Sequence, residues 1–86
     1  MYEIKLERQA EKDLQKILRS PLKKQLFALM EVIEKDPYSP PYEKLSGDLS
    51  GSYSRRINIH HRLVYRVDEE KQCIVILRMW SHYGDN

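Results

Sequence analysis

The chain has 86 residues, 41% hydrophobic and 33% charged, a balance typical of one well-solvated globular domain spanning residues 1–86. It holds no run of about 18 apolar residues, and its first residues lack the apolar core of a secretory signal. These features argue against a membrane protein and predict a cytoplasmic location. The single cysteine, Cys73, excludes an internal disulfide and a cysteine-rich zinc site, and it is expected inside a buried strand.

The net charge of +2 would not by itself indicate a nucleic-acid-binding protein, but the charge is unevenly distributed. Residues 44–66 hold five bases against one acid, whereas residues 1–35 hold eight bases and six acids. This concentration of positive charge favours a polyanionic partner for the second half of the chain. An ordinary solvated surface explains such a charge run equally well.

The first half of the chain predicts a strand followed by two helices. Residues 2–6 alternate between apolar and polar types, which is typical of a half-buried strand. From about Glu7 the spacing becomes helical, and Ser20-Pro21 is expected to begin a second helix because serine caps and proline fits the first turn. Asp36-Pro37 should end it. The two apolar stripes are Leu6, Ala10, Leu14, Ile17 and Leu18, then Leu22, Leu26, Leu29, Met30 and Ile33.

The second half predicts a long loop followed by three strands. Residues 36–51 hold three prolines and two glycines, and loops of this length are often functional. Residues 53–59 and 62–67 read as strands joined by a turn at 58–61, and residues 73–79 read as a nearly continuous apolar strand inside the sheet. The predicted order is βααβββ, an α+β fold with a helical hairpin packed on one face of a mostly antiparallel sheet. The pattern leaves open where the first strand inserts.

Strand alternation predicts an open face of this sheet that carries polar side chains. Leu63, Tyr65 and Val67 share one side of their strand and belong against the helices. The alternate residues of that strand should therefore face the open side: Arg62, Val64 and Arg66.

The last predicted strand extends this surface. If Leu77 and Met79 face the core, Trp80 and His82 emerge on the same open face as Arg62.

An arginine and a histidine on one surface suit phosphodiester chemistry. The sequence has no phosphate-binding glycine loop and no metal-ligand spacing, because the adjacent His60 and His61 would point to opposite faces of a strand. RNA cleavage requires removal of the 2′-hydroxyl proton, stabilisation of charge at phosphorus and protonation of the leaving oxygen. A carboxylate, an arginine and an imidazole can perform these steps without a metal or a cofactor. A single carboxylate, arginine or histidine considered alone is more often an ordinary surface residue than part of a catalytic site.

Several motifs together resemble the YoeB/Txe family, toxins of bacterial type II toxin–antitoxin pairs within the RelE/ParE superfamily. The motifs are Glu-Lys-Leu at residues 43–45, Ser-Arg-Arg-Ile at 54–57, His-Arg-Leu-Val-Tyr at 61–65 and His-Tyr at 82–83. The resemblance covers nearly the whole chain and implies a RelE-like, microbial RNase-like fold. It also implies metal-free cleavage of mRNA on the ribosome.

The resemblance further implies individual roles for residues. Glu43 matches the general base, Arg62 the group that stabilises the phosphate and His82 the general acid, while Tyr83 matches an orienting or stacking partner.

Four further residues are expected to hold RNA: Lys44, Arg55, Arg56 and Trp80. Of the arginine pair Arg56 is favoured, and for Trp80 the alternative is partial burial in the core.

The expected partners follow from the same resemblance. They are mRNA, the ribosome and a small acidic antitoxin of the YefM/Phd-like or Axe-like kind, with operator DNA bound only through the antitoxin complex. A homodimer is left open. Two other functions remain as alternatives: an inhibitor without nuclease activity, like the gyrase-poisoning branch of the superfamily, and an interaction module that binds only a partner and DNA. The joint presence of Glu43, Arg62 and His82 argues against both.

Overall fold

Two helices and five strands form along the part of the chain that our computed structural model describes, residues 1–80. This confirms the α+β class and the predicted βααβββ order, with one short strand added inside the expected loop. The elements are β1 (Glu3–Leu6), α1 (Arg8–Leu18), α2 (Lys23–Lys35), β2 (Glu43–Lys44), a 3₁₀ turn (Gly47–Leu49), β3 (Tyr53–Arg56), β4 (Arg62–Asp68) and β5 (Cys73–Arg78). Neither helix in these 80 residues has the length or the apolar content needed to cross a bilayer.

The five strands form one sheet in the order β1-β5-β4-β3-β2. The position that the sequence left open for the first strand is the edge beside β5, with which β1 pairs in parallel. The other pairs are antiparallel, so the sheet is mostly antiparallel as predicted. As expected, β5 lies inside the sheet, and Cys73 is buried at its start.

The core lies between the helices and one face of the sheet. The predicted stripes face this core because a spacing of three or four places their residues on one side of a helix: Ala10, Ile17, Leu26 and Ile33 are fully buried, and most of the others are partly buried. Leu18 is the exception, since its side chain is 40% exposed. The fully buried residues of this core are Ala10, Ile17, Leu26, Ile33, Leu63, Tyr65, Ile74, Ile76 and Met79.

The second helix begins at Lys23, later than the Ser20-Pro21 signal predicted. The Ser20 hydroxyl donates a hydrogen bond to the carbonyl of Ile17, 2.8 Å away, and accepts one from the Leu22 amide at 3.1 Å. It therefore bridges the end of α1 and the connection to α2. The prediction that Ser20 caps the second helix is wrong, because its hydroxyl instead bonds to the end of α1 and to the connection that follows.

A bulge in the sheet changes the predicted orientation of β5. Val64 pairs with Arg78 but Tyr65 pairs with Ile76, so Leu77 is an extra residue on β5. Met79 is fully buried, as predicted. Leu77, whose orientation towards the core was a condition of that prediction, instead lines a surface cavity that includes Arg66.

A buried carboxylate joins α1 to the segment after β5. Asp13 is 3% exposed, and its Oδ2 accepts a hydrogen bond from the Met79 amide at 3.0 Å while Oδ1 accepts one from Gln9 at 2.9 Å. Met79 lies three residues before His82 along the chain. Asp13 thus fixes the backbone at Met79, just after the end of β5.

Asp13→Ala should lower the free energy of unfolding by roughly 1–3 kcal/mol, because the buried Met79 amide loses its acceptor. Urea denaturation followed by circular dichroism measures this loss. Asp13→Asn keeps a side-chain oxygen that can accept this hydrogen bond, so its free energy of unfolding should fall by less. An alanine variant with the parent's unfolding midpoint would show that the contact contributes nothing to stability.

Candidate active site

The open face of the sheet brings together residues that are far apart in the sequence. Across β2, β3 and β4, Glu43 pairs with Ser54 and Ser54 with Val64, so these three side chains share one face. One step along, Arg56 pairs with Arg62 on that same face. Because Leu63 pairs with Arg55 on the helix side, the predicted outward orientation of Arg62 is confirmed.

A cleft of about 350 Å³ lies at this surface, bordered by Glu43, Ser54, Arg55, Arg56 and Arg62. Glu43 and Arg62 meet in it: the Arg62 guanidinium Nη1 donates a hydrogen bond to the Glu43 Oε1, 2.5 Å away. The Arg62 side chain is 23% exposed and that of Glu43 is 65% exposed, so both remain open to a ligand in the cleft. The site therefore combines a proton acceptor with a cation that can bind an oxyanion.

Arg55 is a buried residue at the cleft wall and anchors the loop that leads to Glu43. It is 3% exposed, and its Nε donates to the Tyr65 hydroxyl at 3.0 Å. Its other nitrogens donate to carbonyl oxygens of the loop, those of Pro37 at 3.1 Å, Pro41 at 3.2 Å and Ser39.

The Tyr65 hydroxyl adds a hydrogen bond to the carbonyl of Pro37, 2.6 Å away. The expectation that Arg55 holds RNA therefore needs correction, because its guanidinium is buried and makes four hydrogen bonds to the protein. Arg55 is a structural residue that fixes residues 37–41 and so the start of β2.

The other two basic candidates occupy different surfaces. Arg56 is exposed, lines the cleft and lies opposite Arg62, which suits an RNA-binding role. Lys44 is exposed on the edge strand, but it pairs with Tyr53 and so projects from the side of β2 opposite to Glu43. Lys44 does not line the cleft.

The chain leaving β5 approaches the turn that precedes Arg62. Trp80 is half-buried against the core, and its ring stacks on His61 with 4.4 Å between centroids and 23° between planes. The partial burial that the sequence offered as an alternative for Trp80 is therefore what the structure shows, with one ring face occupied by His61. His82 and Tyr83, the proposed acid and its partner, lie outside the described residues.

Two residues near the cleft were given no role by sequence reasoning. The His61 carbonyl accepts hydrogen bonds from the amides of Ile57 and Asn58, at 2.8 and 3.2 Å, which closes the turn just before Arg62. Ser54 lines the cleft. The alternation of side chains along a strand could have identified Ser54, because residues two apart share a face and Ser54 lies two residues before Arg56 on β3.

No three His, Cys, Asp or Glu side chains within residues 1–80 form a group that could hold a metal ion.

Comparisons with known proteins identify the family. The sequence model of one protein family, the YoeB-like toxins of bacterial type II toxin–antitoxin systems, matches residues 4–83. The toxin YoeB of Mycobacterium bovis is 39% identical over 62 residues, which is 70% of this chain and 71% of that protein.

Solved structures agree with this assignment. The YoeB/ParE toxin from Agrobacterium tumefaciens has a TM-score of 0.87 at 26% identity, covering 94% of this chain and 99% of that one. A YoeB–YefM complex from Staphylococcus aureus has a TM-score of 0.81 at 33% identity, covering 96% of this chain and 99% of that one. A YoeB dimer from the same organism has also been solved. The fold, the matched family model and these relatives together show that the chain belongs to the YoeB-like toxins of type II toxin–antitoxin systems, within the RelE/ParE superfamily.

Proposed function

We propose that this toxin is a ribosome-dependent, metal-independent mRNA endoribonuclease that inhibits translation. The observation that carries the proposal is the contact between Glu43 and Arg62, which combines a carboxylate base and a phosphate-binding cation in one cleft. Family membership and the His82-Tyr83 pair at the end of the matched region support it further. Because ribosomes are the site of action, the toxin is expected to work in the cytoplasm.

The proposed reaction is attack by the RNA's own 2′-hydroxyl. Glu43 takes the 2′-hydroxyl proton, the resulting oxygen forms a bond to the adjacent phosphorus, and the bond from phosphorus to the 5′-oxygen breaks. His82 gives a proton to the leaving 5′-oxygen, which yields a 2′,3′-cyclic phosphate and a free 5′-hydroxyl. Each of these proton transfers contributes on the order of 10²–10⁴-fold. Arg62 stabilises the charge that develops on the phosphate oxygens.

Three further residues support this reaction in the proposal. Arg56, exposed at the rim of the cleft, binds a neighbouring phosphate, and Tyr83 orients His82. Lys44 contributes only long-range attraction, since it projects from the other side of its strand.

The proposed partners follow from what the relatives assemble with. The Staphylococcus aureus toxin is known in complex with YefM and as a dimer. We therefore propose that an acidic antitoxin of the YefM kind neutralises this chain and that the toxin can form a homodimer. In this proposal, operator DNA is bound only through the antitoxin complex.

Ribosomes programmed with a defined mRNA test the proposed function. The purified toxin should cut mRNA bound to the ribosome and leave the same mRNA intact when it is free. A parallel supercoiling assay with gyrase separates this function from that of the gyrase-poisoning branch. Intact mRNA together with inhibited gyrase would contradict the proposal.

A further inference from the structure

Ser54 is a buried polar residue in an unusual position. It lies on the open face of the sheet and borders the cleft, yet it is only 1% exposed. Its hydroxyl oxygen has no hydrogen-bond partner among residues 1–80. Most buried side-chain polar atoms in proteins do have one, so an exception calls for a physical reason.

The register of the sheet explains why Ser54 is covered. Glu43 belongs to β2 and Arg62 to β4, and β3 runs between them. Neighbouring strands are about 4.8 Å apart, so the Glu43–Arg62 ion pair must reach across β3 to form. Ser54 lies directly opposite Glu43 on that face, with roughly 5 Å expected between their Cβ atoms. The ion pair therefore lies across β3 on the face that carries Ser54, in a position to cover its hydroxyl.

A phosphate group in the cleft would change this arrangement. The Arg62 guanidinium that now contacts Glu43 is the group that would bind an RNA phosphate. Binding of the phosphate by Arg62 would exchange its contact with Glu43 for one with the phosphate and would open the surface over Ser54. A hydroxyl has one proton to donate, and donation to an anionic oxygen makes a shorter and stronger bond than donation to a neutral one.

We propose that Ser54 is a further RNA-contacting residue, whose hydroxyl donates a hydrogen bond to the same phosphate that Arg62 binds. This inference rests on the proposed nuclease function. In the free toxin, the Glu43–Arg62 pair occupies the phosphate position and covers this donor.

A role in packing alone predicts a different outcome for substitution. If Ser54 only filled space, alanine would serve equally well, because alanine also fits beneath the ion pair and leaves no buried hydroxyl without a partner. Removing such a hydroxyl is neutral or stabilising for the fold. A phosphate contact instead predicts that alanine preserves stability while weakening cleavage.

The test compares Ser54→Ala with Ser52→Ala. Ser52 is a matched control because it is also buried, at 4% exposure, but does not line the cleft. The kcat/KM for cleavage of mRNA on programmed ribosomes should fall roughly 10-fold or more in Ser54→Ala, the loss typical of a hydrogen bond to a charged group. Its thermal unfolding midpoint should equal or exceed that of the parent. Ser54→Cys, nearly the same size but a weak donor, should also cleave more slowly.

Two outcomes would overturn the inference. If parent and Ser54→Ala cleave equally well, Ser54 has no contact with RNA and the proposed function is unaffected. If Ser54→Ala unfolds at a lower temperature by an amount that accounts for its lost cleavage, its role is structural. A parent that fails to cut ribosome-bound mRNA would remove the proposed function itself, and this inference with it.

Discussion

Arg62→Ala is expected to lower the rate of mRNA cleavage by about 100-fold or more, the loss typical when a preorganised oxyanion-stabilising donor is removed. Arg62 is the guanidinium that borders the cleft in direct contact with Glu43. Its removal should change stability little, because the remaining carboxylate of Glu43 is 65% exposed and can be solvated by water. Single-turnover cleavage on programmed ribosomes measures the rate, and urea denaturation measures the stability.

Two further variants make this prediction specific. Arg62→Lys keeps the charge but loses the planar fork of donors, so it should recover only part of the rate. Arg66→Ala removes an arginine from the same strand and the same face, but Arg66 lies outside the cleft and contacts Glu7 at 3.8 Å. The cleavage rate of the Arg66→Ala control should stay within a few-fold of the parent's rate. An Arg62→Ala protein that cleaves as fast as the parent would contradict the assignment of Arg62.

Arg55→Ala is expected to destabilise the fold strongly, by about 3 kcal/mol or more, because hydrogen bonds from a charged donor contribute roughly 1.5–3 kcal/mol each. The buried guanidinium bonds to the Tyr65 hydroxyl and to three loop carbonyls, and these acceptors would all lose their donor together. A loss of this size is a large fraction of the 5–15 kcal/mol that small domains typically have. Cleavage should fall as well, since the loop fixes the start of β2 and thus Glu43.

Arg56→Ala provides the matched control for this prediction. Arg56 is the next residue of the same strand, but it is exposed and faces the cleft. Its replacement should change the free energy of unfolding by no more than about 0.5 kcal/mol, as is usual for surface positions, while raising the KM for ribosome-bound mRNA. Chemical denaturation of both variants checks the difference. Equal stability of the two would show that the Arg55 bonds do not support the loop.

Sequence alternation predicted a large part of this fold because one face of the sheet is buried. The apolar residues Leu63 and Tyr65 fixed the orientation of β4, and with it that of Arg62. The same reasoning separates Arg55 from Arg56: adjacent residues of a strand face opposite sides, so Arg55 is buried on the helix side while Arg56 is exposed. The spacing of apolar residues likewise placed both helices on the sheet.

Other features depend on contacts between distant segments. The parallel pairing of β1 with β5 joins the two ends of the described chain and leaves no local pattern in the sequence. Leu77 was misplaced because a bulge shifts the alternation within β5. The two-residue strand at Glu43 forms in a proline-rich loop held by Arg55. Nothing in the local sequence indicates that Glu43 reaches Arg62, which is 19 residues away; only the family resemblance assigned both residues to one site.

The chemistry of the cleaved RNA ends tests the central claim most directly. Attack by the 2′-hydroxyl, with Glu43 as base and Arg62 at the phosphate, leaves a 2′,3′-cyclic phosphate or its 3′-phosphate hydrolysis product on the upstream fragment and a 5′-hydroxyl on the downstream fragment. Mass spectrometry of mRNA fragments recovered from ribosomes treated with this toxin should detect these ends. An upstream fragment ending in a 3′-hydroxyl would contradict the account.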